Sequence, residues 1–184
     1  MKTNRLSENV TEVLNKQLLM EAHAAQIYLS YAVWADSEGY DGISNFLLRH
    51  ADEERDHMTK VMQYIMLRGG KPKIQAIPAP PADPKSIYEC FHKVLEHEVN
   101  NTNGVYNCVN AAFDEKDWAT WNFMQWFVKE QVEEEAFALD LIDKIEIAGG
   151  EDAPKAALYI INQELMDEPD EAPSAEDATA DSPV

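Results

Sequence analysis

The chain has 184 residues, 45% of them apolar, and a formal net charge of −19. That length and apolar share suit one domain with a substantial core. The charge excludes a phosphate-binding surface, so no nucleic-acid partner is expected, and it points toward cations instead.

In chain order, the first periodic segment spans Ser7 to Asp36, with Ser7 placed to cap it. A short "DSEGYDG" connection makes the next segment, Ile43 to Leu67, its antiparallel neighbour. After Gly69-Gly70 comes "GGKPKIQAIPAPPADP", long and rich in proline. Fifteen extended residues reach about 50 Å, and a helix of twenty-five is about 38 Å long. The linker can therefore run the length of a bundle and start the third segment, Lys85 to Phe113, at its opposite end. The fourth runs from Lys116 to Ile147 and stops at Gly149-Gly150, and a shorter fifth fits Pro154 to Met166. No strand alternation is present. The pattern predicts an all-α four-helix bundle with one long crossover and a short fifth helix. Residues 1–166 form the expected domain. The stretch 167–184 holds seven acidic residues, no basic ones and almost no apolar bulk, the composition of a disordered tail.

Cys90 and Cys108 stand about five turns apart on one helix, roughly 27 Å, too far for a disulfide. The opening "MKTNRLSENV" lacks the apolar stretch of a secretory signal. No apolar run nears the roughly 18 residues of a membrane span. A cytoplasmic address and no membrane partner are expected.

On a helical wheel, each long segment carries a glutamate within its apolar stripe. Glu21 lies among Leu14, Leu18, Ala25, Tyr28 and Ala32, and Glu54 among Leu47, Met58, Val61 and Ile65. Glu98 lies among Phe91, Val94, Val105 and Val109, and Glu134 among Phe123, Phe127, Ala138, Leu141 and Ile145. A lone glutamate in such a pattern is often a misjudged edge residue. Four converging carboxylates need a counter-charge, and no Lys or Arg shares these stripes at their height. A multivalent cation with oxygen ligands is the economical answer. Glu54 and His57 form a Glu-x-x-His pair on one face, the spacing of di-iron carboxylate bundles. The fourth helix has Gln131-x-x-Glu134 in its place, which leaves the second metal position without an imidazole. Glu53, Glu130 and Glu133 flank the pair and could hold a third cation. Tyr28, seven residues after Glu21, faces the same site. Glu135 reads as a solvated-face residue, and His23, His50, His92 and His97 as surface or boundary residues.

The stretches "LLMEAHAAQIYLSYAVWA", "FLLRHADEERDHM", His97-Glu98 and "WNFMQWFVKEQVEEE" resemble the non-haem bacterial ferritins, over about Leu6 to Leu165. The resemblance implies iron storage and detoxification, with Fe(II) oxidised by O2 or H2O2 at a two-iron ferroxidase centre. It implies a first metal on Glu21, Glu54 and His57, and a second on Glu54, Glu98 and Glu134 with Gln131 close by. A possible third iron would take Glu53, Glu130, Glu133 and Glu134. Tyr28 matches the family's tyrosine beside the centre. Catalytic roles are thus expected of Glu21, Glu54, His57, Glu98, Glu134, Gln131 and Tyr28. The resemblance also implies a homo-oligomeric cage of twenty-four subunits, with the fifth helix lining its channels. Arg55 stands where bacterioferritin has its haem-binding methionine, so no haem is expected. The rivals are a di-metal peroxidase or catalase, a DNA-protecting mini-ferritin and a non-catalytic acidic scaffold. The absence of a Cys-x-x-Cys segment counts against a rubrerythrin-like peroxidase, and the fifth helix against the mini-ferritin.

Overall fold

The structure, a computed structural model, describes residues 4–167. It holds α1 (Glu8–Ser37), α2 (Asp41–Leu67), α3 (Ile87–Asp114), α4 (Trp118–Ala148), a 3-10 turn (Gly150–Asp152) and α5 (Lys155–Asp167). No strand occurs among the described residues. The tail expected from 167 onward lies outside them, apart from Asp167, which closes α5.

Side-chain caps set three of the starts. Ser7 Oγ accepts from the Val10 amide at 3.1 Å, Ser86 Oγ from Glu89 at 3.1 Å, and Asp117 Oδ1 from Thr120 at 3.2 Å. Each cap is worth about 1 kcal/mol. Ser86 and Asp117 explain why α3 and α4 begin two residues later than the periodicity alone suggests. Lys116, at φ 57, lies in the left-handed region and cannot belong to the helix. Gly149, at φ 124, ends α4 in a conformation few other residues tolerate.

The long linker makes the crossover expected of it. It leaves α2 beside the start of α1, where the Arg5 amide donates to the Arg68 carbonyl at 2.9 Å. The Lys73 amide then donates to Asn15 Oδ1 at 2.6 Å. Further on, Pro80 and Asp83 line a groove with Trp34 and Ser37 at the far end of α1. Having run along α1, the chain starts α3 at the opposite end of the bundle, so α2 and α3 are parallel.

Two apolar cores result, one toward each end. One gathers Tyr31, Ile43, Leu47, Phe91, Leu141 and Ile145. The other gathers Val10, Leu14, Val61, Ile65, Met124 and Phe127. Burying one such side chain stabilises the fold by about 1.5–3 kcal/mol, so the two cores together offset a costly polar layer between them. The α5 helix packs on the start of α2. Asn162 Oδ1 accepts from the otherwise orphaned Ile43 amide at 3.1 Å, and Gly42 lets the two backbones meet.

Candidate metal centre

Between the cores lies a belt of buried polar side chains. Glu21 and Glu98 are 0% exposed, Glu54 2%, His57 3% and Glu134 8%. Helical periodicity puts them there: each occupies the stripe its apolar neighbours define, so folding those neighbours inward takes the carboxylates along. Every long helix contributes one.

The electrostatics follow from burial. Glu54 is held well above the usual carboxylate range, first by loss of water and then by the negative charges of Glu21 and Glu98. Glu134 is raised in the same way, by burial and then by Glu98, Glu54 and Glu53. Burial also raises Glu98, to about 7, although hydrogen bonds from Tyr28 and Gln131 pull it back down. So many buried carboxylates repel one another, and a bound cation would relieve that repulsion.

Glu21, Glu54 and His57 bring one ligand atom each to within 4.8 Å of one another. Glu54 Oε2 and His57 Nδ1 face each other at 3.4 Å. Both are buried and neither has a hydrogen-bond partner. Buried polar atoms are almost always partnered, and two lone-pair donors turned toward the same point suit a shared cation. The His57 ring is held edge-on against Trp126, centroids 5.3 Å apart. Glu21 is oriented from behind: Gln17 Nε2 donates to Oε1 at 2.8 Å and Asn101 Nδ2 to Oε2 at 2.9 Å.

Glu98 stands differently. Its Oε1 accepts from the Tyr28 hydroxyl at 2.7 Å and its Oε2 from Gln131 Nε2 at 3.2 Å. The Gln131 amide oxygen accepts from Asn101. Gln131 therefore acts here as a hydrogen-bond partner of Glu98, and neither residue joins the cluster around Glu54. Glu134 groups with His50 and Glu53 instead. Of the expected outer trio, Glu53 and Glu130 come together, with His57 as their third member. Glu133 does not join them: its side chain is 63% exposed and lies 3.8 Å from Lys129.

Four residues matter more than the sequence reading allowed. Gln17 and Asn101 brace Glu21, and the signal was available, because Gln17 lies one turn before Glu21 and Asn101 one turn after Glu98. His50, one turn before Glu54, has its Nε2 3.8 Å from Glu134 Oε2, and burial pushes it down to about 4. Glu135, expected in solvent, is half-buried and accepts from the Thr102 hydroxyl at 2.5 Å.

Residues 11–148 match the family model of the ferritin-like domain. This chain belongs to the ferritin family. A probable bacterial non-heme ferritin-like protein of Haemophilus influenzae is 38% identical over 160 residues, covering 87% of this chain and 95% of that protein. A bacterial non-heme ferritin of Staphylococcus aureus is 39% identical over 160 residues, with the same coverage. Among solved structures, an open-pore ferritin from Archaeoglobus fulgidus superposes with a TM-score of 0.85 at 42% identity, covering 89% of this chain and 99% of that one. The ferritin four-helix bundle is thus the fold of this chain, and its polar belt lies at mid-height. Among the described residues of this ferritin, no helix is long and apolar enough to cross a membrane.

Proposed function

We propose that this ferritin stores iron, oxidising Fe(II) at a dinuclear ferroxidase centre in the polar belt and holding the product as ferric mineral. The observation that carries this reading is the orphaned pair, Glu54 Oε2 and His57 Nδ1, buried 3.4 Å apart among carboxylates. Fe(II) is the substrate. The first ion takes Glu21, Glu54 and His57. The second takes Glu98 and Glu134, with Glu54 shared between them. Burial raises the proton affinity of Glu54, Glu98 and Glu134, so two positive ions binding there displace protons. Each Fe(II) then gives one electron to O2 or H2O2. The protein's part is to fix the ligands and supply negative charge, while the redox chemistry is the iron's. Tyr28 and Gln131 hold Glu98 in place. Glu53 and Glu130, with Glu133 and Glu134 nearby in sequence, give the product ion an outer stop, and the His57 imidazole lies between the two positions.

A cytoplasmic homo-oligomer of twenty-four subunits accords with this reading. Large apolar side chains stand exposed on the single chain, among them Leu67 at 82%, Ile147 at 89%, and Tyr159 and Ile160 of α5 at 61% each. Assembly would cover them where they gather on one face, and light scattering on the purified protein measures the assembly.

Glu54→Ala tests the centre. It removes the shared ligand and also relieves repulsion, so the variant folds and assembles as before. Rapid Fe(II) oxidation, followed by stopped-flow absorbance, is lost. Oxidation at the unmodified rate in that variant refutes the dinuclear assignment.

A further inference from the structure

α1 and α3 pack closely along one side of the bundle. They run antiparallel, because α3 starts at the end of the bundle where α1 stops. At the height of Glu21 the seam between them holds two buried amides, Gln17 at 1% exposure and Asn101 at 0%. A carboxylate only accepts, so both amides turn their N–H groups toward Glu21. Gln17 Nε2 donates to Oε1 at 2.8 Å and Asn101 Nδ2 to Oε2 at 2.9 Å. The amides also hold each other, since Gln17 Nε2 donates to Asn101 Oδ1 at 2.7 Å. That engages the donors of Gln17 and turns its Oε1 the other way. There the oxygen is buried without a hydrogen-bond partner among the described residues. It lies against Gly104, about one turn after Asn101 on α3. A Cβ on Gly104 would collide with Gln17 Oε1 and stand 2.8 Å from Met20 Sδ. Met20 is unbranched and can swing aside, whereas Gln17 cannot move without breaking its bonds to Glu21 and Asn101. Glycine is a poor helix former next to alanine, and the room it leaves for Gln17 is a packing reason for its place inside α3.

We propose that Asn101 and Gly104 are positioning residues for the first metal position, Glu21, Glu54 and His57: from α3 they hold Gln17 and Glu21 in place, and so set the affinity of that position for a divalent transition-metal ion such as Fe(II) or Zn(II). Neither residue touches the ion. Glu54 and His57 come together on one helix, α2. Glu21 is the one ligand of the three that another helix brings, so its aim decides whether the three atoms close on a single ion. Losing an outer partner of a ligand typically changes metal affinity by about 10–100-fold. The Asn101 amide also donates to Gln131 Oε1 at 3.3 Å, so its influence extends toward Glu98. Gly104 acts through Gln17, and therefore on the first position alone. The proposal deepens the ferroxidase reading and rests on it only for the ligands of that position.

Redox-silent Zn(II), titrated calorimetrically into the assembled full-length protein, tests this, with zinc-edge anomalous maps to place the ions. The unmodified protein is expected to show an ion at Glu21, Glu54 and His57. In Gly104→Ala that ion should bind about tenfold more weakly, with the affinity of other zinc positions unchanged; a loosened bundle would instead weaken them together. Asn101→Leu keeps the bulk in the seam and should weaken the same ion at least as much. The decisive measurement is a double-mutant cycle. Gln17→Ala removes the side chain that Gly104→Ala displaces, so the two changes together should bind the ion no more weakly than Gln17→Ala alone. Unmodified affinity in Gly104→Ala overturns the proposal, and so do losses that simply add in the double variant. If Asn101→Leu fails to assemble, the cycle decides alone. An ion at Glu21 with no second ion beside it and no Fe(II) oxidation removes the dinuclear reading, while the cycle still decides this one; no ion at Glu21 overturns both.

Discussion

Tyr28 shows how one hydroxyl can tune a buried acid. Its hydrogen bond to Glu98 favours the charged carboxylate, while burial favours the neutral acid and wins, leaving Glu98 at about 7. Tyr28→Phe keeps the ring in the core and removes the bond. A hydrogen bond to a charged group is worth about 1.5–3 kcal/mol, and one pH unit corresponds to about 1.4 kcal/mol. Glu98 should therefore titrate about one unit higher, or somewhat more. Under the proposed function a second metal ion competes with that proton, so the pH midpoint for loading it should rise by a similar amount. Co(II) titrations followed by visible absorption across pH measure the shift. A midpoint that stays put would mean that the hydroxyl does not set the acidity of Glu98.

At the scale of elements, α5 is held to the bundle by a few specific contacts. A Cβ on Gly42 would come within 1.8 Å of the Asn162 carbonyl oxygen, which is backbone and cannot move alone. Gly42→Ala should therefore lift α5 from α2. Asn162→Ala is milder: it leaves the Ile43 amide without its acceptor, at a cost of about 1–2 kcal/mol. Hydrogen exchange should show faster amide exchange along α5 in both variants, more so in Gly42→Ala, with the middle of α1 to α4 unchanged. Protection of α5 equal to that of the unmodified protein would show that α5 is secured elsewhere.

For the whole molecule, the polar belt ties stability to pH and metal. Burial keeps Glu98 protonated in the fold up to about 7, whereas an unfolded carboxyl ionises near 4.5. Between those values the folded state binds more protons than the unfolded chain. Stability of the metal-free protein from this group is complete below the lower value and is lost as pH rises through the upper one. Glu54 and Glu134 act in the same direction. Calorimetry with a chelator should thus give a higher Tm near pH 5.5 than near pH 7.5, on the order of a few degrees. Added Zn(II) should raise Tm most at the higher pH, where fewer protons compete with it for the belt carboxylates. Glu98→Gln should flatten the metal-free trend, which separates the belt from the general repulsion of an acidic chain. A metal-free Tm that rises with pH would mean that the belt carboxylates are ionised in the fold.

The sequence by itself determined the helices, their order and the single crossover, because 3.6-residue periodicity, caps and glycine stops are local properties. It also determined which glutamates turn inward, since Glu21, Glu54, Glu98 and Glu134 each share a stripe with residues that have to be buried. What only the tertiary structure decided is which inward atoms meet. His50 approaches Glu134, Glu133 turns away toward Lys129, and Asn101 reaches across to Glu21. A wheel fixes the direction of a side chain from its own axis, whereas these distances depend on the height and spacing of two helices, and those are set by packing along their whole length.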